Sequence, residues 1–162
     1  MIAGSDPDCP VHSTRIAETC GACHADPELA ADLGIRLVQP LVAYTASVHA
    51  QVVAEGGEGA RCTSCHGAHG ILPAADPTSR VNRAHVVDTC GECHVEIAAE
   101  FGSSVHGRAA THGVQDSPVC TDCHGEHRIL HPSQKESPVY ATNIPKLTCG
   151  RCHGDLRLSD KF

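Results

Sequence analysis

The 162-residue chain has no Trp, two Tyr, two Phe and one Met, so aromatic side chains cannot build the core expected of a domain this size. A formal charge of −7 excludes the basic footprint of a general nucleic-acid binder. No apolar run approaches the roughly 18–20 residues needed to cross a bilayer, and the 15 Gly and 10 Pro point to many short turns.

In chain order, Met1-Ile-Ala-Gly-Ser-Asp6 lacks the basic start and apolar centre of an export signal. Asp6-Pro7 opens a connector that carries Cys9 and His12 and leads to Thr19-Cys-Gly-Ala-Cys-His24. Residues 27 to about 55 read as helical, with Ser47-Val-His49 on the later turns. The low-charge stretch 37–53 inside it is interrupted by Pro40, Ser47 and His49, and reads as a helix on the surface or against a cofactor. Cys62-Thr-Ser-Cys-His-Gly-Ala-His69-Gly-Ile-Leu-Pro73 follows.

The pattern then starts again. Asp76-Pro77 precedes Thr89-Cys-Gly-Glu-Cys-His94 at the spacing that separates Asp6-Pro7 from the first motif. A second helical stretch, 95 to about 110, carries Ser104-Val-His106, and Cys120-Thr-Asp-Cys-His-Gly-Glu-His127-Arg-Ile-Leu130 completes the copy. A third copy begins at Thr148-Cys-Gly-Arg-Cys-His153. Analogous positions lie 57 to 59 residues apart, as His49 and His106, His69 and His127, or Cys90 and Cys149 show. The first copy has extra residues, about 26 to 42. The expected organisation is one domain over 1–162, built of two repeats (about 19–73 and 89–131) and a partial third (148–154). Because it opens within one repeat and closes within another, it reads as a segment of a longer protein.

Ten of the eleven Cys fall in five Cys-x-x-Cys-His motifs: Cys20 and Cys23, Cys62 and Cys65, Cys90 and Cys93, Cys120 and Cys123, and Cys149 and Cys152. Two thiols at this spacing add to the two vinyl groups of one haem, and the following His reaches the iron from below. The proximal ligands are then His24, His66, His94, His124 and His153. Structural zinc needs Cys pairs that converge two by two, which five pairs cannot all do, and it has no need of His after each. A disulfide framework scatters its Cys, and thioredoxin-like pairs come singly on a βαβ background. Five covalent haem c groups are the expected cofactors. At about 32 residues per haem, porphyrins would supply the apolar core that the side chains lack.

Eight His remain. His49 and His106 share the Ser-Val-His slot, and His69 and His127 each follow a proximal His by three. That offset puts the second imidazole near the first without letting both reach one iron, so it suits a neighbouring haem. These four are expected distal ligands. A fifth is assigned to His12, upstream of the first motif, with His85, His112 and His131 as replacements. A simple alternating scheme would give His12, His49, His69, His106 and His127 to haems one to five in order. Cys9 stands where Ser79 stands in the next copy and reads as a plain thiol.

Taken together, Thr-Cys-Gly-x-Cys-His, Ser-Val-His and Cys-Thr-x-Cys-His-Gly-x-His-x-Ile-Leu resemble the periplasmic and extracellular multihaem cytochromes c with paired haem motifs, over about residues 6 to 154. The resemblance implies a mainly α fold with much irregular structure, a core of stacked haems with bis-His ligation, and an electron relay outside the cytoplasm. It implies redox protein partners and no catalytic residue. Two other roles stay open. One is a subunit of an extracellular haem filament formed by self-association. The other is a reductase with one five-coordinate haem, although the pentahaem nitrite reductases resemble a larger chain with Lys in one motif.

Overall fold

Ten α-helices of four to nine residues cover the Cys motifs and the stretches between them in the computed structural model, which describes residues 6–32, 39–155 and 157. They are α1 (Ile16–His24), α2 (Pro27–Asp32), α3 (Pro40–Thr45), α4 (Val48–Ala54), α5 (Cys62–His66), α6 (Val86–Gly91), α7 (Val95–Ser103), α8 (Val105–Thr111), α9 (Cys120–His124) and α10 (Gly150–His153). A single π-helical turn, Ile144–Thr148, leads into α10. No strand occurs among the described residues, so the chain is mainly helical with much irregular structure. Helices this short do not hold themselves in water. Caps and packing must hold them.

Two helices expected to be continuous are broken by their own serines. The stretch from 27 is divided into α2, α3 and α4, with residues 33–38 outside the described residues. The stretch from 95 is divided into α7 and α8. Ser47 and Ser104 take extended backbone (ψ 159° and 166°), and their hydroxyls accept the N–H of Ala50 at 3.2 Å and of Gly107 at 3.0 Å. Each Ser is thus an N-cap. Ser-Val-His therefore opens a helix rather than riding on its later turns, and the His is the second residue of that helix.

The connectors are three copies of one run of turns. The N–H groups of Cys9, Ser79 and Ser137 donate to the carbonyls of Asp6, Asp76 and Gln134 at 3.0, 3.0 and 2.9 Å. Those of His12, Asn82 and Tyr140 donate three residues back again, to Cys9, Ser79 and Ser137. Buried Ser79 and Ser137 donate their hydroxyls to Leu72 and Leu130 carbonyls, at 3.2 and 3.4 Å. Cys9 occupies their slot. The Thr that precedes each first-type motif closes the run: Thr19, Thr89 and Thr148 donate to the carbonyls of Pro10, Arg80 and Pro138 at 2.6, 2.7 and 2.6 Å.

Residues divide into two compact units, one of Met1–His69 with His127–Ile129, the other of Gly70–Glu126 with Leu130–Phe162. In the first, α1 packs on α2, α3 and α5, and Tyr44 donates its hydroxyl to the Ala60 carbonyl at 3.0 Å. The Val48 N–H donates to the Ile129 carbonyl at 2.9 Å. In the second, α6 packs on α7 and α9, and Arg83 reaches the Asp122 carboxylate at 2.8 Å and the Ser117 carbonyl. Among the described residues neither unit has a sizeable side-chain core. Among the described residues the buried apolar side chains are Ala30, Val86, Val119 and Leu130, and the largest that are fully buried are Ser47 and Ser137.

Candidate functional site

The five Cys motifs take two local forms. Cys62 and Cys120 begin α5 and α9, and the residue between the paired Cys caps its own helix: Ser64 and Asp122 accept the N–H of Arg61 and Val119 at 3.1 and 2.7 Å. The other three motifs lie at or beyond the closing turns of helices entered from the connectors, namely α1, α6 and the π turn followed by α10. In the opening form the helix stops at the motif His because of the next residue. Gly67 and Gly125 hold φ +79° and +80° with ψ 169° and −179°, backbone that essentially only Gly adopts. That bend throws the chain away from the proximal His and sets the direction in which His69 and His127 depart.

Thiols of successive motifs come together. Cys20 and Cys62 hydrogen-bond, and so do Cys90 and Cys120. Burial pushes the Cys62 thiol up to about 11, with Cys20 adding to the shift. The hydrogen bond with Cys90 brings Cys120 down to about 7. Cys123 is raised, first by burial and then by the charges of Asp122 and Cys149. Motifs one and two therefore adjoin through their first Cys in the first unit, and motifs three and four do the same in the second. Cys9 and all ten motif Cys are unbridged.

In the three motifs entered from a connector, the two thiols are not equally sheltered. Cys23, expected to carry one thioether of motif one, is exposed, whereas its partner Cys20 is half-buried against Cys62. The reason is its place on the last turn of α1, where the chain is already leaving the helix: the Cys23 carbonyl accepts the Asp26 N–H at 3.2 Å. Side-chain packing thus holds Cys20 and leaves Cys23 facing outward. Cys93 and Cys149 are exposed as well, in the other two motifs entered from a connector. In the opening form, Cys62, Cys65, Cys120 and Cys123 are all half-buried. A hollow of about 380 Å³ opens beside motif three, lined by Cys93, His94, Val95, Glu96 and Ile97. His124 is lowered from its usual range by burial and then by His94, which favours the neutral imidazole that a metal needs.

Two pairs of imidazoles face each other. The rings of His66 and His127 have centroids 6.1 Å apart with planes 9° from parallel. Those of His106 and His153 are 6.0 Å apart with planes at 41°. Offset-stacked rings have centroids about 4.5–7 Å apart, so near-parallel rings at 6.1 Å fit either an offset stack or a place on either side of one metal. A metal–imidazole bond is about 2.0–2.1 Å. The ring nitrogen lies about 1.1–1.2 Å from its centroid for bonds of ordinary C–N length. Two imidazoles on opposite sides of one metal thus have centroids about 6.3 Å apart. Both observed separations fit that spacing. In each pair one member is a motif His and the other an expected distal ligand.

This geometry departs from the in-order scheme. His127 lies beside His66 of motif two rather than beside His153 of motif five, and His106 has the latter place. His69 is exposed and makes no ring contact among the described residues, although it shares the sequence slot of His127. His49 sits second in α4, as His106 does in α8. His12 takes the connector slot of Asn82 and Tyr140, and its Nδ1 lies 2.8 Å from the Thr14 hydroxyl. The replacements make local bonds: His85 Nε2 to the Pro77 carbonyl at 2.9 Å, His112 Nδ1 to the Arg108 carbonyl at 2.7 Å, and His131 Nδ1 to the Ser133 hydroxyl at 2.7 Å. Sequence reasoning missed Ser117, whose hydroxyl donates to the His106 carbonyl at 2.7 Å and fixes that turn. Nothing in the sequence marks it, because it lies in a stretch between motifs.

Among the described residues no three His, Cys, Asp or Glu side chains converge as a closed metal site would require, and no helix is long and apolar enough to cross a membrane. Residues 49–99 match the family model described as a doubled CXXCH motif, which is a multihaem c-type cytochrome motif. The match runs from the His of Ser-Val-His through the second motif, the connector and the third motif. It indicates covalently bound c-type haem and a role in electron transfer. No curated protein and no solved structure matches the chain.

Proposed function

We propose that the chain is an electron carrier holding five haem c groups, most of them between two His, outside the cytoplasm in the periplasm or beyond the cell surface. The observation that carries this is the spacing of His66 from His127 and of His106 from His153, which fits two imidazoles sharing one metal. When bound, haem iron supplies one-electron exchange between its ferric and ferrous states.

The chain's own residues do the rest. Ten Cys anchor the groups through thioethers, and His24, His66, His94, His124 and His153 hold the proximal faces. The outward-facing thiols of Cys23, Cys93 and Cys149 are open to a vinyl group, so their exposure fits attachment of a porphyrin that then covers them. His127 and His106 close two distal faces, and His49, His69 and His12 are the remaining candidates. The neighbouring thiols Cys20–Cys62 and Cys90–Cys120 bring successive attachment edges together, as a relay requires. The scarcity of buried apolar side chains supports porphyrin as the filling of both units. Two His on an iron leave no position for a substrate, which favours a carrier over a reductase. The charge of −7 favours a partner with a cationic docking patch.

Mass spectrometry of the native protein is expected to show the polypeptide plus five haems. Ferric EPR and resonance Raman are expected to be dominated by low-spin iron. A mass without added macrocycles would overturn the proposal, and a full high-spin centre that binds nitrite or another small oxidant would turn it toward a reductase.

A further inference from the structure

We propose that the second repeat lends distal ligands in both directions, so that two haems are closed by a copy of the repeat other than the one that anchors them. His127, in the second repeat, closes the iron held by Cys62, Cys65 and His66 of the first. His106, also in the second repeat, closes the iron held by Cys149, Cys152 and His153 of the third. The assignment rests on the haem reading above and extends it to named pairs.

The exchange is built into the backbone. His127 leaves its own motif at Gly125, whose φ of +80° and ψ of −179° prevent α9 from continuing. It then belongs to the compact unit of the first repeat, with Ile129 accepting the N–H of Val48 at 2.9 Å. A His three residues after a motif His cannot close the same iron, but across a repeat it meets His66 with planes only 9° apart. His106 is set by different means. The Ser104 cap starts α8 at Val105, and the Ser117 hydroxyl holds the His106 carbonyl at 2.7 Å. Motif five is brought to it by the connector, where Thr148 donates to the Pro138 carbonyl at 2.6 Å. One distal His therefore points back by a repeat and the other forward.

Removing one haem at a time tests the pairs. In the full holoprotein, His127→Ala and His106→Ala are each expected to add one high-spin haem. In a Cys62→Ala/Cys65→Ala background, with mass confirming the loss of one haem, His127→Ala is expected to add none while His106→Ala still adds one. In Cys149→Ala/Cys152→Ala the pattern reverses. Should the Cys variants fail to mature, His127→Met and His106→Met keep every haem six-coordinate and raise one potential each. Imidazole plane angle sets the rhombicity of a low-spin ferric spectrum, so His127→Met should remove a near-parallel species and His106→Met a more tilted one. The proposal is overturned if His127→Ala adds its high-spin haem even without the Cys62/Cys65 group, or if both Met variants remove the same species. A wild-type mass lacking haem would overturn the underlying reading instead, and the two failures are distinct.

Discussion

Replacing Ser104 with Ala tests how the distal His is held. The Ser104 hydroxyl accepts the Gly107 N–H at 3.0 Å. Gly107 is buried, so water cannot take over that N–H once the oxygen is gone. A Cβ at Gly107 would collide with the Phe101 carbonyl oxygen, so the turn has no room to shift. Loss of an N-cap costs about 0.5–2 kcal/mol, and an N–H left buried belongs in the upper half of that range, about 1–2 kcal/mol. For a chain of this size that is a fall in Tm of about 2–8 °C. Thermal and guanidinium unfolding of the holoprotein, followed by far-UV circular dichroism, measures it. Ser103→Ala is the control: its hydroxyl donates to the Glu100 carbonyl at 2.8 Å on an exposed surface, caps nothing, and should cost less than about 0.5 kcal/mol. Ser104→Thr should recover most of the loss. If Ser104→Ala matched Ser103→Ala, the cap would not be what starts α8, and the reasoning that sets His106 on its first turn would fail.

Arg83→Ala should destabilise by about 1–2 kcal/mol, because it removes both the Asp122 ion pair and the bond to the Ser117 carbonyl. With both side chains about a third or more exposed, the ionic part of that loss should shrink between about 0.1 and 1 M salt, as unfolding midpoints would show. Gly125→Ala should cost about 1–3 kcal/mol through backbone strain alone, whereas Gly102→Ala, in open space, should not. Asp76 accepts the Thr78 hydroxyl at 2.7 Å and its N–H at 2.8 Å, which together hold its carboxyl below the usual range. A depressed folded value means stability present above about 3.9 and lost as pH falls through the depressed value. The Tm gap between wild type and Asp76→Asn should therefore be present at neutral pH and close in strong acid; a constant gap would remove the assignment.

The candidate haem motifs were legible because covalent attachment calls for an uninterrupted signature. Each motif Cys and its His are neighbours in sequence, so spacing alone nominates them. Spacing is silent on their surroundings, and Cys20 and Cys23 differ in shelter only because α1 ends between them and the next turn. The helices were less legible. Apolar periodicity ran through Ser47 and Ser104, and only the cap geometry shows that each Ser ends one segment and begins another. Ser was read there as a helix residue of modest propensity, when its hydroxyl was competing for the backbone. Distal pairing was the least legible. His69 and His127 occupy identical slots, yet only His127 has a ring partner among the described residues, because the difference lies in what the rest of the chain brings to each. A repeat tells which residues are equivalent in kind. It does not tell which copy supplies the neighbour.

The placement of His127–Ile129 with the first repeat has a consequence for how such a chain can be lengthened or cut. The unit that recurs in the sequence and the unit that coheres in space are out of phase by a few residues. A gene trimmed between Gly70 and Asp76 would look tidy in an alignment of repeats and would strand motif two without its companion imidazole. Insertion of whole copies would instead preserve the proposed pairing at every new junction, because each added copy lends one His backward and one forward. Growth by tandem duplication is thereby favoured over assembly from free-standing pieces.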